Sequence, residues 1–238
     1  MDVTLLLQAL SFFILLVIAE TEDGEDSDPY SKKRFEMVET QIIPRGVQDR
    51  VVIEAMLKVP RHEFAPERLR SASYNDSPIP IEMGQTVSQP YIVALMTELL
   101  RPVQGKKILE VGTGSGYQSA VLAETGCDLY TIEILEPIAE KARQILERLG
   151  YTNIKFKVGD GYEGWDQHSP FDGIIVTAAP GSIPEQLVRQ LKPGGRMVIP
   201  VGDAQQDLLL VEKTLSGVNV KKVTSVRFVP MTGLSGKA

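Results

Sequence analysis

Apolar positions along this chain change period several times, and each change marks an element. Over 31–43 and 47–59 they recur three and four residues apart, with Phe35, Val38 and Ile42 on one stripe and Val51, Val52, Ala55 and Met56 on the other. That spacing predicts two amphipathic helices, separated at Pro44 and Gly46 and placed as a cap over one edge of a sheet. Residues 60–90 are rich in Pro, Ser and Asn and show little periodicity. They read as a long ordered loop, and such loops within compact domains usually carry function. A helix over 91–100 then leads through Pro102 and Gly105 to the first long apolar run.

From Lys107 onward, short apolar runs alternate with helical spacing. Strands are expected at 107–111, 128–133, 154–158, 172–177 and 196–201, and helices at 116–124, 136–149 and 184–191. This is the pattern of an α/β fold with a Rossmann-like, doubly wound and mostly parallel sheet. Segments 208–213 and 218–228 read as two further strands forming an antiparallel hairpin at the sheet edge, turning at Ser216 and Gly217.

The amino end follows neither pattern. Residues 5–19 are almost wholly apolar, and 20–28 are acidic and poor in helix formers. The expected organisation is an apolar leader over 1–19, an acidic linker over 20–31 and one catalytic domain over 32–238. A helix of about fifteen residues reaches about 22 Å, short of a hydrocarbon core of about 30 Å, and Val17-Ile18-Ala19 offers small cleavage positions. These features fit a secretory signal. Asp2 without any Lys or Arg before the apolar run argues against it, and the cluster Lys32-Lys33-Arg34 after the run favours a short anchor with the domain held in the cytoplasm. Cleaved signal, membrane contact through residues 5–19 and a misassigned start all stay open.

Composition narrows the function classes. With 43% apolar and 24% charged residues the chain is an ordinary globular protein, and a net charge of −6 without a long basic block excludes the electrostatic footprint of a nucleic-acid binder. A single cysteine, Cys127, rules out an intrachain disulfide and any multi-cysteine metal site. The two histidines, His62 and His168, are too far apart in sequence for a local metal clamp, so no metal is expected.

The chemistry concentrates at strand ends, where ligands of doubly wound sheets bind. The run 107–111 ends in Gly112-Thr113-Gly114-Ser115-Gly116, and glycines at alternate positions allow positive φ and let a ligand lie against the backbone. Glu110 precedes the turn. Glu133 closes the second strand, where such sheets place an acid against a ribose diol. G-x-G-x-G preceded by an acid departs from the dinucleotide spacing G-x-G-x-x-G. It leans toward S-adenosylmethionine, which lacks a pyrophosphate and whose ammonium Glu110 could help to hold. Asp160 and Gly161 follow the third strand, and Asp160 is placed to accept from an adenine amine, although an Asp between glycines serves equally as a turn former. Thr177 ends the fourth strand.

Gly84-Gln85-Thr86-Val87-Ser88-Gln89-Pro90-Tyr91, the glycine turn, Gly159-Asp160-Gly161, Gly164-Trp165, residues 170–180, Gly194-Gly195 and residues 226–230 together resemble the protein-L-isoaspartate O-methyltransferases. The likeness runs from Lys32 to Met231. It implies methyl transfer from S-adenosylmethionine to the free carboxylate of L-isoaspartyl residues in damaged proteins and peptides, a repair reaction. It also implies an active-site role for Ser88, with Thr86 beside it. Ser88 is expected to donate a hydrogen bond to the substrate carboxylate, while Gln85 and Gln89 shape the loop or meet the peptide. The chain departs from the family at Glu82-Met83, where relatives carry Pro-Ile-Gly-x-Gly, and an added carboxylate there is expected to repel an anionic substrate modestly. A catalytically silent adenosylmethionine-binding protein and a methyltransferase for another carboxylate are the alternatives.

Overall fold

The computed structural model describes residues 28–233. The leader expected over 1–19 and the linker up to residue 27 lie outside these residues, as do residues 234–238. Among the described residues no helix is long and apolar enough to cross a membrane.

Helix α1 (Ser31–Met37) continues as a π turn to Ile42 and a 3-10 turn to Arg45. It stops there because Pro44 has no N–H to donate and Gly46 adopts φ +96°. Helix α2 (Arg50–Lys58) starts one turn later than its apolar stripe suggests. Asp49 caps it, accepting from the N–H groups of Val51 and Val52 at 2.9 and 3.3 Å. Glu98, on helix α3 (Pro90–Leu100), accepts from the N–H groups of Gln48 and Asp49 at 2.6 and 2.7 Å, which ties the start of α2 to α3.

The segment between α2 and α3 is ordered, as expected, but contains more structure than its composition predicts. It holds 3-10 turns at Arg61–Phe64 and Glu67–Ala72 and a small antiparallel hairpin of β1 (Ile79–Pro80) and β2 (Thr86–Val87). Its anchor is Arg61, fully buried, whose Nε donates to Ser73 O at 2.6 Å and whose guanidinium lies 4.6 Å from the Tyr117 ring centroid. His62 Nδ1 sits 2.8 Å from the Tyr74 hydroxyl, so this histidine is structural.

The sheet has seven strands: β3 (Lys107–Val111), β4 (Asp128–Glu133), β5 (Lys155–Val158), β6 (Phe171–Val176), β7 (Leu191–Val201), β8 (Gln206–Lys213) and β9 (Val218–Val226), in the order β5-β4-β3-β6-β7-β8-β9. The first five are parallel, and β8 and β9 add an antiparallel edge. Helices α4 (Tyr117–Glu124), α5 (Glu136–Arg148) and α6 (Glu185–Gln190) make the crossovers. Strand β7 begins five residues before its apolar run, because Pro193, Gly194 and Gly195 interrupt the hydrophobic pattern without ending the extended backbone. Pairing advances two residues on β6, from Phe171 to Gly173, while it advances five on β7, from Leu191 to Arg196, so an irregularity absorbs the excess.

Strand order reverses between β3 and β6, so the connections that leave their carboxyl ends run to opposite faces of the sheet and leave a crevice above the strand ends. Beneath it, alternate residues Leu109, Tyr130, Ile174 and Met197 pack one face of the sheet with Phe171 and Leu187. His168 joins this face, 4.7 Å from the Tyr130 ring, and is likewise structural. Cys127 is buried, and burial pushes its thiol up to about 11, which suits packing rather than reactivity.

Ile174 is wholly buried in the central strand beside this crevice. Ile174→Ala is expected to cost about 2–5 kcal/mol, seen as a lower urea midpoint at unchanged slope. A cost below about 0.5 kcal/mol would show that this face does not hold the sheet together.

Candidate active site

The crevice opens into a cleft at the carboxyl ends of the central strands, where ligands of doubly wound sheets bind. Its walls come from the ends of β3, β4 and β6, the β2 loop, the turn after β5 and the segment 229–232. Gln85, Thr86, Ser88, Gly112, Thr113, Gly114, Glu133, Gly161 and Thr177, all expected from sequence, meet there. Glu110, Gly116, Asp160 and Gln89 do not line it.

The three glycines of the turn differ in purpose. A Cβ on Gly112 would collide with Thr177 Oγ1, and one on Gly116 would sit 3.1 Å from Leu146 Cδ1, so both exist for packing at positive φ. Gly114 alone faces open space, its nearest neighbour being Thr86 O at 4.0 Å from the Cβ position. Gly114 therefore forms the cradle. Thr177 holds the turn rather than a ligand, donating its hydroxyl to Gly112 O at 2.5 Å. Gly161, although in the wall, is glycine because a Cβ would strike Val111 and crowd Met231.

Glu133 is buried at the end of β4, where its two oxygens accept from the N–H groups of Gly114 at 2.9 Å and Leu135 at 3.1 Å. Each oxygen keeps a lone pair for a further donor. A diol presents two adjacent hydroxyl donors, so the pair of acceptors here fits a ribose.

Glu110 does not reach the cleft, which corrects its expected contact with an ammonium group. Strand register sets it beside Thr131, whose Oγ1 is 2.7 Å from Glu110 Oε2, and Ser119 of α4 covers the same oxygen. Thr113 bonds Thr131 in turn at 2.7 Å, so Glu110 touches the cleft wall only through two hydroxyls. Complete burial, opposed by the Ser119 and Thr131 hydrogen bonds, pushes its carboxyl up to about 8. A neutral carboxyl cannot serve as the counterion expected of it.

Asp160 takes the turn-forming role that its place between glycines allows. Its Oδ1 accepts from Tyr162 N–H at 2.9 Å, capping the turn Gly161–Glu163, and it lies against Gly233. The turn-forming reading describes what this carboxylate does. Gln89 turns away, its amide donating to Asp76 Oδ1 at 2.7 Å. Glu82 is compensated, since Lys141 Nζ approaches its Oε1 at 2.5 Å and that pairing holds its carboxyl below the usual range.

Sequence reasoning missed the wall made by Ile134, Leu135 and Val229–Thr232. Ile134 carried a usable signal, an apolar residue directly after the ribose acid and 37% exposed. The 229–232 segment gave a weaker one, Val229 and Pro230 belonging to the run 226–230 that carries the resemblance, and its place in the wall is set by Ala179, which donates to Val229 O at 2.9 Å and accepts from Met231 N–H at 2.7 Å.

A doubly wound sheet with one open glycine after its first parallel strand and a twice-supported acid after its second defines a Rossmann-like methyltransferase. Comparison with known proteins resolves the class further. The chain belongs to the protein-L-isoaspartate(D-aspartate) O-methyltransferase (PCMT) family, whose model matches residues 32–236. It is 49% identical over 220 residues to a protein-L-isoaspartate O-methyltransferase of Synechococcus sp. (strain JA-2-3B'a(2-13)), covering 89% of this chain and 90% of that one. It is 56% identical over 188 residues to protein-L-isoaspartate O-methyltransferase 2 of Polaromonas sp., covering 78% and 89%. A solved protein-L-isoaspartate O-methyltransferase superposes with a TM-score of 0.75 at 31% identity, over 85% of this chain and 66% of its own length. A putative member from Plasmodium falciparum, in complex with S-adenosyl-L-homocysteine, shares the fold with a TM-score of 0.72 at 24% identity, over 87% and 99%.

Glu110 yields a pH prediction. Its carboxyl keeps the proton in the folded chain to about pH 8, against 4.5 for its ordinary value. Its contribution to stability is complete at acid pH and is lost progressively as pH rises toward about 8. Glu110→Gln stays neutral, so its stability relative to the parent is expected to improve from about pH 5 to 8 and then level, by a few kcal/mol at most. Urea unfolding at pH 5, 7 and 9 measures this. A constant difference across the three would mean that Glu110 titrates normally.

Proposed function

We propose that this protein is a repair methyltransferase that esterifies the free carboxylate of L-isoaspartyl residues in damaged proteins and peptides with S-adenosylmethionine. One juxtaposition carries the reading: the loop bearing Gln85, Thr86 and Ser88 faces the Gly114 cradle and Glu133 across a single cleft. When bound, S-adenosylmethionine supplies an electrophilic methyl group on a sulfonium. Glu133 holds the ribose, Gly114 admits the amino-acid arm against its backbone, and Ile134 and Leu135 give apolar contact beside the adenine.

The chain's own work is positioning. An α-carboxylate with an ordinary pKa near 4 is ionised at neutral pH, so a strong base adds little. Holding its oxygen in line with the methyl group at near-attack distance can supply about 7–11 kcal/mol of the barrier. Ser88 donates a hydrogen bond to that carboxylate and Thr86 flanks it. Two nearby acids add little to the repulsion of an anionic substrate, since Glu110 is neutral below about pH 8 and Glu82 is paired with Lys141. The basic cluster Lys32-Lys33-Arg34 after the apolar leader and the intracellular supply of the methyl donor support a cytoplasmic catalytic domain.

Labelled methyl transfer to an isoaspartyl peptide, beside its aspartyl twin, tests the activity. Label is expected on the isoaspartyl form alone, and folded, cofactor-binding protein that labels neither would favour a silent binding protein. Ser88→Ala is expected to lower kcat about 10- to 100-fold, the worth of a hydrogen bond to a charged group, with cofactor affinity within about twofold. Unchanged turnover would remove Ser88 from the reaction. Glu133→Ala is expected to weaken cofactor binding about 10- to 100-fold by calorimetry, through loss of charge-assisted bonds, and an unchanged Kd would contradict the ribose assignment.

A further inference from the structure

A second cavity adjoins the cleft, and the chemistry described above does not use it. It runs between helix α5 and the 3-10 turns after α2. Gly114 and Ser115 wall both spaces. So does the tight turn from Ile81 to Gln85, closed by Ile81 N–H to Gln85 O at 2.9 Å and Gln85 N–H to Glu82 O at 3.1 Å. Ile81 and Glu82 face the second cavity, and Gln85, Thr86 and Ser88 face the first. At the tip between them stands Met83, 55% exposed and at φ +56°.

The floor of this groove is apolar, from Phe64, Ile81, Ile138 and Ile145. Its rim is charged but balanced in sign, Glu63, Glu67 and Glu82 against Arg70, Lys141 and Arg148. Lys141 pairs with Glu82 at 2.5 Å, and Arg148 and Arg70 both approach Glu63, at 2.8 and 3.6 Å. An apolar floor with a rim of balanced charge gives no concentrated field for a phosphate or a single ion. It suits an uncharged, apolar segment of chain.

An isoaspartyl residue has an unusual shape. Its main chain runs through the side-chain carboxyl, so the free carboxylate is attached within about two bonds of both flanking peptide segments, each following residue adding about 3.3–3.6 Å of reach. With that carboxylate at Ser88, the flanks must leave the cleft at once, and the apolar groove beyond the 81–85 turn adjoins it along Gly114 and Ser115.

We propose that this groove is a specificity subsite that receives the residues on one side of the isoaspartate and selects apolar side chains there. The proposal rests on the methyltransferase reading above. Binding is sequence-tolerant but not indifferent: a leucine buries against Ile81 and Ile145, whereas Asp and Lys are disfavoured alike, because the rim carries equal numbers of both signs and the floor is apolar.

The test is a set of isoaspartyl peptides carrying Leu, Ser, Asp or Lys at each of the two positions on either side of the isoaspartate, with a capped isoaspartyl residue lacking flanks as reference. Leu on one side is expected to lower KM about tenfold relative to Ser, from the burial of one aliphatic side chain, with kcat little changed. Asp and Lys are expected to match each other and to lie above Leu. In Ile145→Gln, and separately in Ile81→Gln, the Leu-to-Ser KM ratio should collapse to within about twofold of one. A flat response in the parent enzyme, a preference for one sign of charge, or a Leu preference that survives in both variants would overturn the subsite while methylation of the capped residue leaves the activity standing. Absence of methyl transfer to every isoaspartyl substrate would overturn both.

Discussion

The hydrogen bond from Gly114 N–H to Glu133 joins the two halves of the binding apparatus, and much else is arranged around it. It fixes the glycine turn after β3 against the acid that ends β4. Gly112 and Thr113 donate to Ile132 O at 2.8 and 3.2 Å, so the turn is stitched to β4 along its length, and Thr177 closes it from β6. Three adjacent strand ends are therefore tied together by hydrogen bonds. A cradle built this way presents its acceptors without reorganisation when a ligand arrives.

Charge is managed with the same economy. A net charge of −6 is an awkward background for an enzyme that takes a carboxylate. Three acids near the cleft are handled in three ways. Glu133 is supported by two N–H groups, Glu110 is kept protonated by burial, and Glu82 is neutralised by Lys141. Glu110 in particular exchanges the role of counterion for that of a buried neutral strut, joining β3, β4 and α4 through hydroxyls.

Most of the fold was legible in the chain because hydrophobic period reports directly on which faces are buried. The seven strands of the sheet, the helices between them and the antiparallel edge all occur where the pattern predicts. The misses share a cause. Strand β7 runs through Pro193-Gly194-Gly195, where pairing with β6 overrides poor local propensity. The hairpin at 79–87 is held by a segment anchored on buried Arg61, a residue type that composition assigns to the surface. At the site, Glu133, Gly114, Thr86 and Ser88 were readable because each sits at a strand end or in a specific motif. For Gln89 and Asp160 the sequence left two readings side by side, since which way a loop side chain turns depends on a partner far away or on local capping.

The order of elements, the glycine turn and the place of Glu133 at the end of β4 were determined by the sequence alone, since each follows from local period, backbone freedom and strand spacing. The tertiary structure decided which of three glycines opens onto the ligand, that Glu110 is neutral and hidden, and that the 229–232 segment completes the wall. It also decided that an apolar groove adjoins the cleft along Gly114 and Ser115. Those features depend on distances between residues remote in the chain, and only packing sets such distances.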